Sequence, residues 1–355
     1  MKVLLISPLP PPAGGIATWT EQYIEWARNN HQTVDIVNTA VVGKRAERIN
    51  SKLGLISEII RTKNIIYQLR NKLSLEKPNI VHLNSACGKL GIIRDYVCGR
   101  IVKKKQAPLI VHFRCNAEDQ IKNKISIYFF KKICSIADQI LVLNSSTKEY
   151  VRKSANRESV LVANFIDDKY ILEKNRKVSP DIRNILYVGH VQESKGSKEI
   201  IQAGASLLHV DFILAGPVSD EIAKMQITPN IKLLGTVERT DVLHLLDEAD
   251  VFLFPTYSEG FSNALLEAMA RGLPIITTAV GANMDMIGES GGIIIEAGNV
   301  QSILDAITNI KSPDLRNGMS AWNKNKVRSN YTIDKVMKHL TSIYRDLIHE
   351  SGINK

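Results

Sequence analysis

Short apolar segments alternate with helical stretches along the whole 355-residue chain, and this alternation restricts the possible folds more than any other feature. Strands that are separated by helices indicate parallel sheets built from βαβ units. The sequence therefore predicts an α/β protein with two doubly wound, Rossmann-like domains that face a cleft. The candidate strands of the first half are KVLLIS, TVDIVN, NIVHLN, PLIVHF, QILVLN and VLVANF, and those of the second half are RNILYVGH, DFILAGP, IKLLGTV, VFLFP, PIITT and GGIIIE.

The boundary between the two domains is predicted from a charged segment that contains a proline. DDKYILEKNRKVSPDIR, residues 167–183, lacks apolar periodicity and has the composition of a linker. We therefore expect domains over residues 1–176 and 177–330. Within the remaining segment, Tyr331–Lys355, the stretch Thr332–Glu350 places apolar residues at helical spacing and predicts an amphipathic helix that could pack on either domain.

Charge is distributed unevenly along the chain. Residues 1–178 contain 30 Lys and Arg against 15 Asp and Glu, whereas residues 179–355 contain 16 against 21. The basic first half indicates an anionic partner, which could be acidic lipid, a phosphorylated substrate or nucleic acid. A basic solvated surface is the alternative. No nucleic-acid recognition motif accompanies the charge, so we expect no nucleic-acid partner.

Other features of composition favour a cytoplasmic protein. The chain has no run of 18 uncharged apolar residues, and prolines interrupt the first apolar segment where a signal peptide would continue. The four cysteines, Cys87, Cys98, Cys115 and Cys134, show no metal-binding spacing. We expect reduced, incidental thiols.

The segment SEGFSNALLEAMARGLP, residues 258–274, holds two glutamates in otherwise apolar surroundings. Ser262 or Asn263 can cap a helix that continues to Ala270. Glu259 then lies in the loop after a strand, and Glu267 lies about one turn inside the helix. Open amides at a helix start favour an anion such as phosphate, and a nearby carboxylate can accept from sugar hydroxyls. Alternatively, Glu267 pairs with a core arginine and Glu259 is a solvated loop charge.

Three further stretches place polar groups or glycines after strands. Gly14 and Gly15 follow the first strand and leave backbone amides open to a ligand, although a tight turn without ligand has the same pattern. His112 lies at the end of the strand LIVHF, where it is either catalytic or structural. Lys195 precedes a helix of the second half and can reach a phosphate as a point charge, or it is a surface lysine.

Together these stretches resemble the retaining glycosyltransferases of family 4. The resemblance rests on VGHVQESKG, residues 164–167, FPTYSEGFSNALLEAMARGLP and TTAVGANMDMI. It implies the two-domain GT-B fold, with an acceptor-binding first domain on which the terminal helix packs and a donor-binding second domain. By this resemblance Glu259 contacts donor-sugar hydroxyls, Glu267 holds the ribose, and Lys195 neutralises the leaving diphosphate. The loop residues that would face the diphosphate are Gly260, Phe261, Ser262 and Asn263.

The resemblance also assigns roles in the first domain and reveals one departure. His112 matches a histidine close to the transferred sugar, and Gly14 and Gly15 match a glycine loop beside the phosphates. Family members usually have an arginine where this chain has His190. One positive charge is therefore missing from the expected diphosphate site, unless a protonated His190 or another base such as Arg114 replaces it.

The resemblance implies a hexosyl- or N-acetylhexosaminyl-transferase that uses a nucleotide sugar, with UDP-sugar favoured over GDP-sugar. The acceptor would be a glycan or polyprenyl-linked glycan of bacterial surface polysaccharide: O-antigen, capsule or lipopolysaccharide. No Asp-x-Asp occurs in the chain, so we expect neither metal nor cofactor. A nucleotide-sugar epimerase and a catalytically silent binding protein are the alternatives. Lysines interspersed with aromatic residues in KNKISIYFFKKI, residues 122–133, predict peripheral contact with the anionic inner face of the membrane. Alternatively the stretch is a structural helix, since its apolar residues cover more than one face and some must belong to the core.

Overall fold

The computed structural model describes residues 1–11, 14–40 and 54–352. Within them lie two parallel sheets of six strands each, and all twelve strands predicted from the sequence are confirmed. The first sheet has the order β2-β1-β3-β4-β5-β6 and the second β12-β11-β10-β7-β8-β9. The strands are β1 Lys2–Ser7, β2 Thr33–Asn38, β3 Ile80–Ser85, β4 Leu109–Phe113, β5 Gln139–Val142, β6 Val160–Leu161, β7 Asn184–Val188, β8 Asp211–Ala215, β9 Ile231–Gly235, β10 Val251–Phe254, β11 Ile275–Thr278 and β12 Gly292–Ile295.

Helices follow almost every strand and cover the sheets. Strands β3, β4, β10 and β11 are buried along their whole length. Burial on both faces explains why the sequence of β10, VFLF, is continuously apolar rather than alternating. The helices are α1 Gly15–Asn29, α2 Gly54–Leu75, α3 Gly91–Lys104, α4 Ala117–Gln120, α5 Lys124–Ile136, α6 Ser145–Ala155, α7 Ser197–Ser206, α8 Asp220–Ala223, α9 Arg239–Glu248, α10 Asn263–Ala270, α11 Asn283–Ile287, α12 Val300–Asn309, α13 Pro313–Asn330 and α14 Ile333–Glu350. None of these helices is long and apolar enough to cross a bilayer.

The contacts within the chain divide it into two compact units. One comprises residues 1–163 and 337–355, and the other comprises residues 164–336. The second unit therefore begins before the predicted boundary at 177. Backbone hydrogen bonds explain the difference, because Ile166 N–H donates to Tyr331 O and Leu172 N–H donates to Ala270 O. These bonds attach the charged segment to the second unit.

Helix α14 has the predicted amphipathic pattern. Its inner face buries Leu340 and Tyr344 completely, and Ile343 and Leu347 are half-buried. The Tyr344 hydroxyl lies 2.5 Å from Nδ1 of His82 on β3, which attaches this part of α14 to the first unit. The predicted helix extends to Lys355, but residues 353–355 lie outside the described residues.

Two of the four cysteines are bonded to each other, so the expectation of four incidental thiols is wrong. Cys87 follows β3 and Cys115 follows β4, and the two form a disulfide. Neighbouring parallel strands bring these residues together, although 28 positions separate them in sequence. Cys98 and Cys134 are free and buried.

Candidate active site

The order of the strands in the second sheet determines where a ligand can bind. Strands β8 and β9 follow β7 on one side, whereas β10 lies on its other side and continues to β11 and β12. The carboxyl ends of β7 and β10 therefore flank the point where the strand order reverses. In open α/β sheets ligands bind in the crevice at such a point. The loop after β7 contains Lys195, and the loop after β10 contains Glu259.

The loop after β7 requires glycine next to Lys195. A short 3-10 turn covers Glu193–Lys195, and Gly196 follows with a φ of 75° before α7 begins. A Cβ atom at Gly196 would lie 2.2 Å from the carbonyl oxygen of Pro255, just beyond β10. Glycine therefore allows the two strand-end loops to touch, and this contact places Lys195 beside residues 258 and 259.

Lys195 and Glu259, both predicted site residues, form an ion pair. The Lys195 ammonium donates to Glu259 Oε1 at 2.6 Å and to the carbonyl oxygen of Ser258 at 3.1 Å. Their side chains are 22% and 19% exposed. Glu259 is thus a partly buried, paired carboxylate rather than a solvated loop charge. A lysine at this depth keeps hydrogen-bond donors that can turn towards an incoming anion.

The start of α10 provides open amides beside this ion pair. Ser262 is the N-cap, and its Oγ accepts from Leu265 N–H at 3.1 Å. Asn263 instead accepts from Asn164 Nδ2 at 3.0 Å. The loop before α10 packs closely against Gly281, since a Cβ at this glycine would lie 2.0 Å from the carbonyl oxygen of Glu259. Amides of the first turn and the helix dipole favour a phosphate here.

Glu267 is the fifth residue of α10 and has an arginine partner that sequence reasoning missed. Arg239 Nη2 lies 3.1 Å from Glu267 Oε1, and its guanidinium stacks over the Tyr170 ring at 4.2 Å. Arg239 is 46% exposed, so the partner is not the core arginine of the alternative interpretation. Burial raises the pKa of Glu267 and Arg239 only partly opposes this shift. The attraction of Arg239 therefore does not fully offset the cost of burying the ionised Glu267 carboxylate.

Tyr257 and His190 are two other residues of the strand-end loops of the second unit. Tyr257 donates to Glu199 Oε1 at 2.6 Å, and this hydrogen bond raises the pKa of the tyrosine to about 12. His190 lies exposed after Gly189, and its backbone oxygen accepts from Tyr187 at 2.8 Å. Its imidazole stands where the family arginine is expected, so the site is less basic than the resemblance implies.

In the first unit, Gly14 and Gly15 mark the start of α1. Both are exposed, and Gly14 O accepts from Thr18 N–H at 2.9 Å. Gly14 has an extended φ of 177°, and a Cβ there would have no atom within 4 Å. The backbone at this position is therefore open, as expected for a loop that admits a ligand. The preceding Pro12 and Ala13 lie outside the described residues.

His112 is the fourth residue of β4 and is completely buried. Its ring lies 5.3 Å from that of His82 and 6.2 Å from that of Trp19. Arg114 Nη1 is 3.4 Å from both ring nitrogens. Burial, then Arg114, holds the pKa of His112 well below its usual value, so the imidazole is neutral. Its assignment beside the transferred sugar stays a prediction.

Arg114 and His82 lie with His112 in a buried cluster of the first unit. The Arg114 guanidinium lies 4.5 Å above the Trp19 ring, and burial lowers its pKa to about 9. Burial and Arg114 together lower the pKa of His82 to about 3. Sequence reasoning named Arg114 but missed His82, which is the third of the six residues of the buried strand β3.

Comparison with known proteins is consistent with this geometry. Residues 182–312 match the family described as glycosyl transferases group 1. The capsular polysaccharide biosynthesis glycosyltransferase CapM of Staphylococcus aureus is 26% identical over 92% of this chain and 93% of its own. The UDP-Gal:alpha-D-GlcNAc-diphosphoundecaprenol alpha-1,3-galactosyltransferase of Escherichia coli is 30% identical, but over only 35% of this chain and 32% of its own.

A solved structure extends the similarity to the whole fold. HepE of Anabaena, solved in complex with UDP and glucose, superposes with a TM-score of 0.71 at 13% identity, covering 98% of this chain and 100% of HepE. At that identity the superposition shows the fold alone. The chain therefore has the two parallel six-strand sheets of the GT-B fold, and its residues 182–312 match the group 1 glycosyltransferases.

Proposed function

We propose that the protein is a retaining transferase that moves a hexosyl or N-acetylhexosaminyl group from a nucleotide sugar to a glycan acceptor. The observation that carries this proposal is the ion pair of Lys195 and Glu259 beside the capped start of α10. One cation, one carboxylate and several open amides meet there at the carboxyl ends of β7 and β10. A diphosphate linked to a sugar offers the complementary groups, since it has anionic oxygens on one side and hydroxyls on the other.

Donor binding would rearrange the ion pair. The diphosphate oxygens accept from the α10 amides and from Lys195, which exchanges part of its contact with Glu259 for the phosphate. Glu259 then accepts from sugar hydroxyls, and Glu267 accepts from the ribose. Because these groups stand ready before the reaction, they stabilise the charge that develops on the leaving diphosphate.

Transfer then proceeds on one face of the donor sugar. The bond between the anomeric carbon and the phosphate oxygen breaks, and the acceptor oxygen forms the new bond to the same carbon from the same side. The acceptor proton passes to the departing phosphate oxygen, so that atoms and charge balance. Glu259 is occupied by hydroxyls and Lys195, and we assign it no covalent role. Since the diphosphate charge is met by Lys195 and amides, the reaction needs no divalent metal.

The relatives support a proposal for the classes of donor and acceptor. The HepE complex contains UDP and glucose, which supports a UDP-sugar over a GDP-sugar. CapM is named for capsular polysaccharide biosynthesis, and the E. coli relative for a diphosphoundecaprenol-linked substrate. A glycan or polyprenyl-linked acceptor of bacterial surface polysaccharide is therefore proposed. Since such an acceptor is held in the membrane, we place the enzyme in the cytoplasm, peripheral on the inner face.

A thermal-shift panel tests donor binding. A ligand that binds only the folded state at 100 times its dissociation constant adds about 2.7 kcal/mol to the free energy of unfolding. We expect UDP-sugars to raise the melting temperature more than GDP- or ADP-sugars at equal concentration. A panel in which no nucleotide sugar shifts the melting temperature contradicts the proposal. A nucleotide-sugar epimerase would also give a shift, but it would isomerise the donor without any acceptor.

A further inference from the structure

The second unit has a cavity at the edge of its sheet opposite the candidate active site. The cavity has a volume of about 410 Å³ and is lined by the segment 180–183 before β7, the turn between α7 and β8, and the end of α12. These segments lie at the amino ends of β7 and β8, whereas Lys195 and Glu259 follow the carboxyl ends of the parallel strands β7 and β10. We call it the amino-end cavity. Its volume is typical of pockets that bind small molecules.

Three basic side chains line the amino-end cavity. Arg183, His209 and Lys311 are exposed, and their side chains form no ion pair or hydrogen bond with other residues in the described part of the chain. Asp181 is the one acid among the described lining residues. The lining therefore carries an excess of positive charge that no internal partner neutralises.

Cations at this place could instead serve the carbonyl end of α7, where the helix dipole favours positive charge. Asn230 already meets the hydrogen-bonding need of that helix end. Its Nδ2 lies 3.0 Å from the carbonyl oxygen of Gly204, 3.2 Å from that of Leu207 and 2.8 Å from that of Val210. The basic side chains are therefore available to a ligand.

A buried arginine adds positive charge beside the cavity. Arg316 on α13 is completely buried, and its Nη2 donates to the carbonyl oxygens of the lining residues Pro180 at 2.8 Å and Lys311 at 3.2 Å. Its Nε and Nη1 have no hydrogen-bond partner among the described residues. Burial lowers the pKa of Arg316, and the nearby carboxylates of Asp250 and Asp181 oppose this shift. An arginine stays charged in a protein, so an anion in the cavity would reduce the cost of burying this charge.

The surroundings of the cavity determine which kind of anion can approach. Residues 179–355 contain 16 Lys and Arg against 21 Asp and Glu, so the cations are grouped on an otherwise acidic part of the chain. A polyanion would be repelled by this background, whereas a small anion can enter the cavity. A phosphate group has three acceptor oxygens and a charge of about −1.5 to −2 near neutral pH, so it can pair with several cations at once. A carboxylate carries only one charge.

We propose that the amino-end cavity binds a sugar phosphate at a site separate from the donor site. The phosphate would accept charge-assisted hydrogen bonds from Arg183, Lys311 and His209. The Asp181 carboxylate and the Thr308 hydroxyl would accept from sugar hydroxyls. The carbon face of the sugar would pack on the apolar part of the lining, which comprises Ile182, Val210 and Ile307. Binding here goes beyond the proposed transfer reaction and does not depend on it.

Calorimetry of the full chain with glucose 6-phosphate tests the site. Titrations are run without UDP and with UDP at saturating concentration, so that the donor site is occupied in one series. We expect binding in both series, weaker binding of inorganic phosphate and no binding of glucose. Binding that disappears when UDP is added would overturn the proposal, because the ligand would then occupy the donor site. No binding of glucose 6-phosphate in either series would also overturn it, and equal binding of inorganic phosphate would overturn the assignment of a sugar. If UDP itself does not bind, the series without UDP and the variants below still decide the question.

Two double variants locate the binding. Arg183→Ala with Lys311→Ala removes two exposed cations of the cavity, and it should raise the dissociation constant for glucose 6-phosphate roughly 10-fold or more through the loss of charge-assisted hydrogen bonds. Lys224→Ala with Lys335→Ala is the matched control, because these exposed lysines of the second unit lie outside the cavity. We expect the control to bind like the wild type. Equal losses in the two variants, or no loss in the first, would overturn the proposal.

A space-filling variant separates the cavity from its charge. Thr308 is exposed in the last turn of α12, and Thr308→Trp would occupy part of the cavity while keeping every cation. We expect this variant to lose binding of glucose 6-phosphate but to keep the melting temperature and the UDP affinity of the wild type. Unchanged binding of glucose 6-phosphate by the folded variant would show that the ligand lies elsewhere and would overturn the proposal.

Discussion

Replacement of Glu267 by Gln tests whether this carboxylate serves to bind the donor or to stabilise the fold. The side chain is 20% exposed, and it forms an ion pair with Arg239, which is 46% exposed. Exposed ion pairs contribute about 0.2–1 kcal/mol. Burial raises the pKa of Glu267, so its ionisation destabilises the folded state. These two effects oppose each other, and we expect the free energy of unfolding at neutral pH to change by less than about 1 kcal/mol.

The loss of affinity should be larger. If Glu267 holds the ribose of the donor, the Gln variant loses a charge-assisted hydrogen bond worth about 1.5–3 kcal/mol. This free energy corresponds to a rise in the dissociation constant of roughly 10- to 150-fold. Calorimetry with UDP measures it, and chemical denaturation measures stability. Asp247→Asn is the matched control, since Asp247 also pairs with an arginine, Arg271, but lies outside the site.

The dependence of the free energy of unfolding on pH should differ between the wild type and the Gln variant in a defined direction. Because the folded-state pKa of Glu267 is raised, its favourable contribution is present below the unfolded value and is lost as pH rises through the folded pKa. Gln does not titrate, so the stability of the variant relative to the wild type should increase from pH 4 towards pH 7. A variant that loses several kcal/mol of stability but no affinity for UDP would refute the reasoning, because Glu267 would then be a structural residue.

Three further predictions concern the strand-end loops and the leaving group. Lys195→Ala should weaken UDP binding by roughly 10- to 150-fold, from the same range of charge-assisted hydrogen bonds, and unchanged affinity in calorimetry would remove Lys195 from the site. Transfer should proceed at its full rate in excess EDTA; a rate that collapses with chelator and returns with Mg²⁺ or Mn²⁺ contradicts metal independence. Gly196→Ala should destabilise the fold by more than about 1 kcal/mol, because its Cβ would meet Pro255 O at 2.2 Å with a φ of 75°. Gly14→Ala, with no atom within 4 Å, is the control and should unfold at nearly the wild-type denaturant concentration.

The sequence predicted the strands and the start of α10 because local chemistry determines both. A parallel strand buried on two faces must be apolar along its length, as in Val251–Phe254. Ser262 caps α10 with its own hydroxyl, which needs no distant partner. Helix α14, Ile333–Glu350, could be predicted for the same reason, since its apolar residues recur every three or four positions.

Contacts between distant segments could not be predicted. Arg239 meets both Glu267 and the Tyr170 ring only because the fold of the second unit brings together α9, α10 and the 3-10 turn over Asp168–Tyr170. The His82–Tyr344 hydrogen bond spans 262 positions and depends on where α14 packs. The Cys87–Cys115 disulfide depends on β3 and β4 being neighbours, which strand spacing alone does not specify.

The central claim is transfer of a sugar from a nucleotide donor to a glycan. Release of nucleoside diphosphate from a UDP-sugar, measured with and without a polyprenyl-diphosphate-linked glycan, tests it most directly, with the anomeric configuration of the product read by NMR. We predict release only when the acceptor is present, and a product that keeps the configuration of the donor. A donor that is isomerised without acceptor, a donor that is bound but never consumed, or a product of inverted configuration would contradict the account.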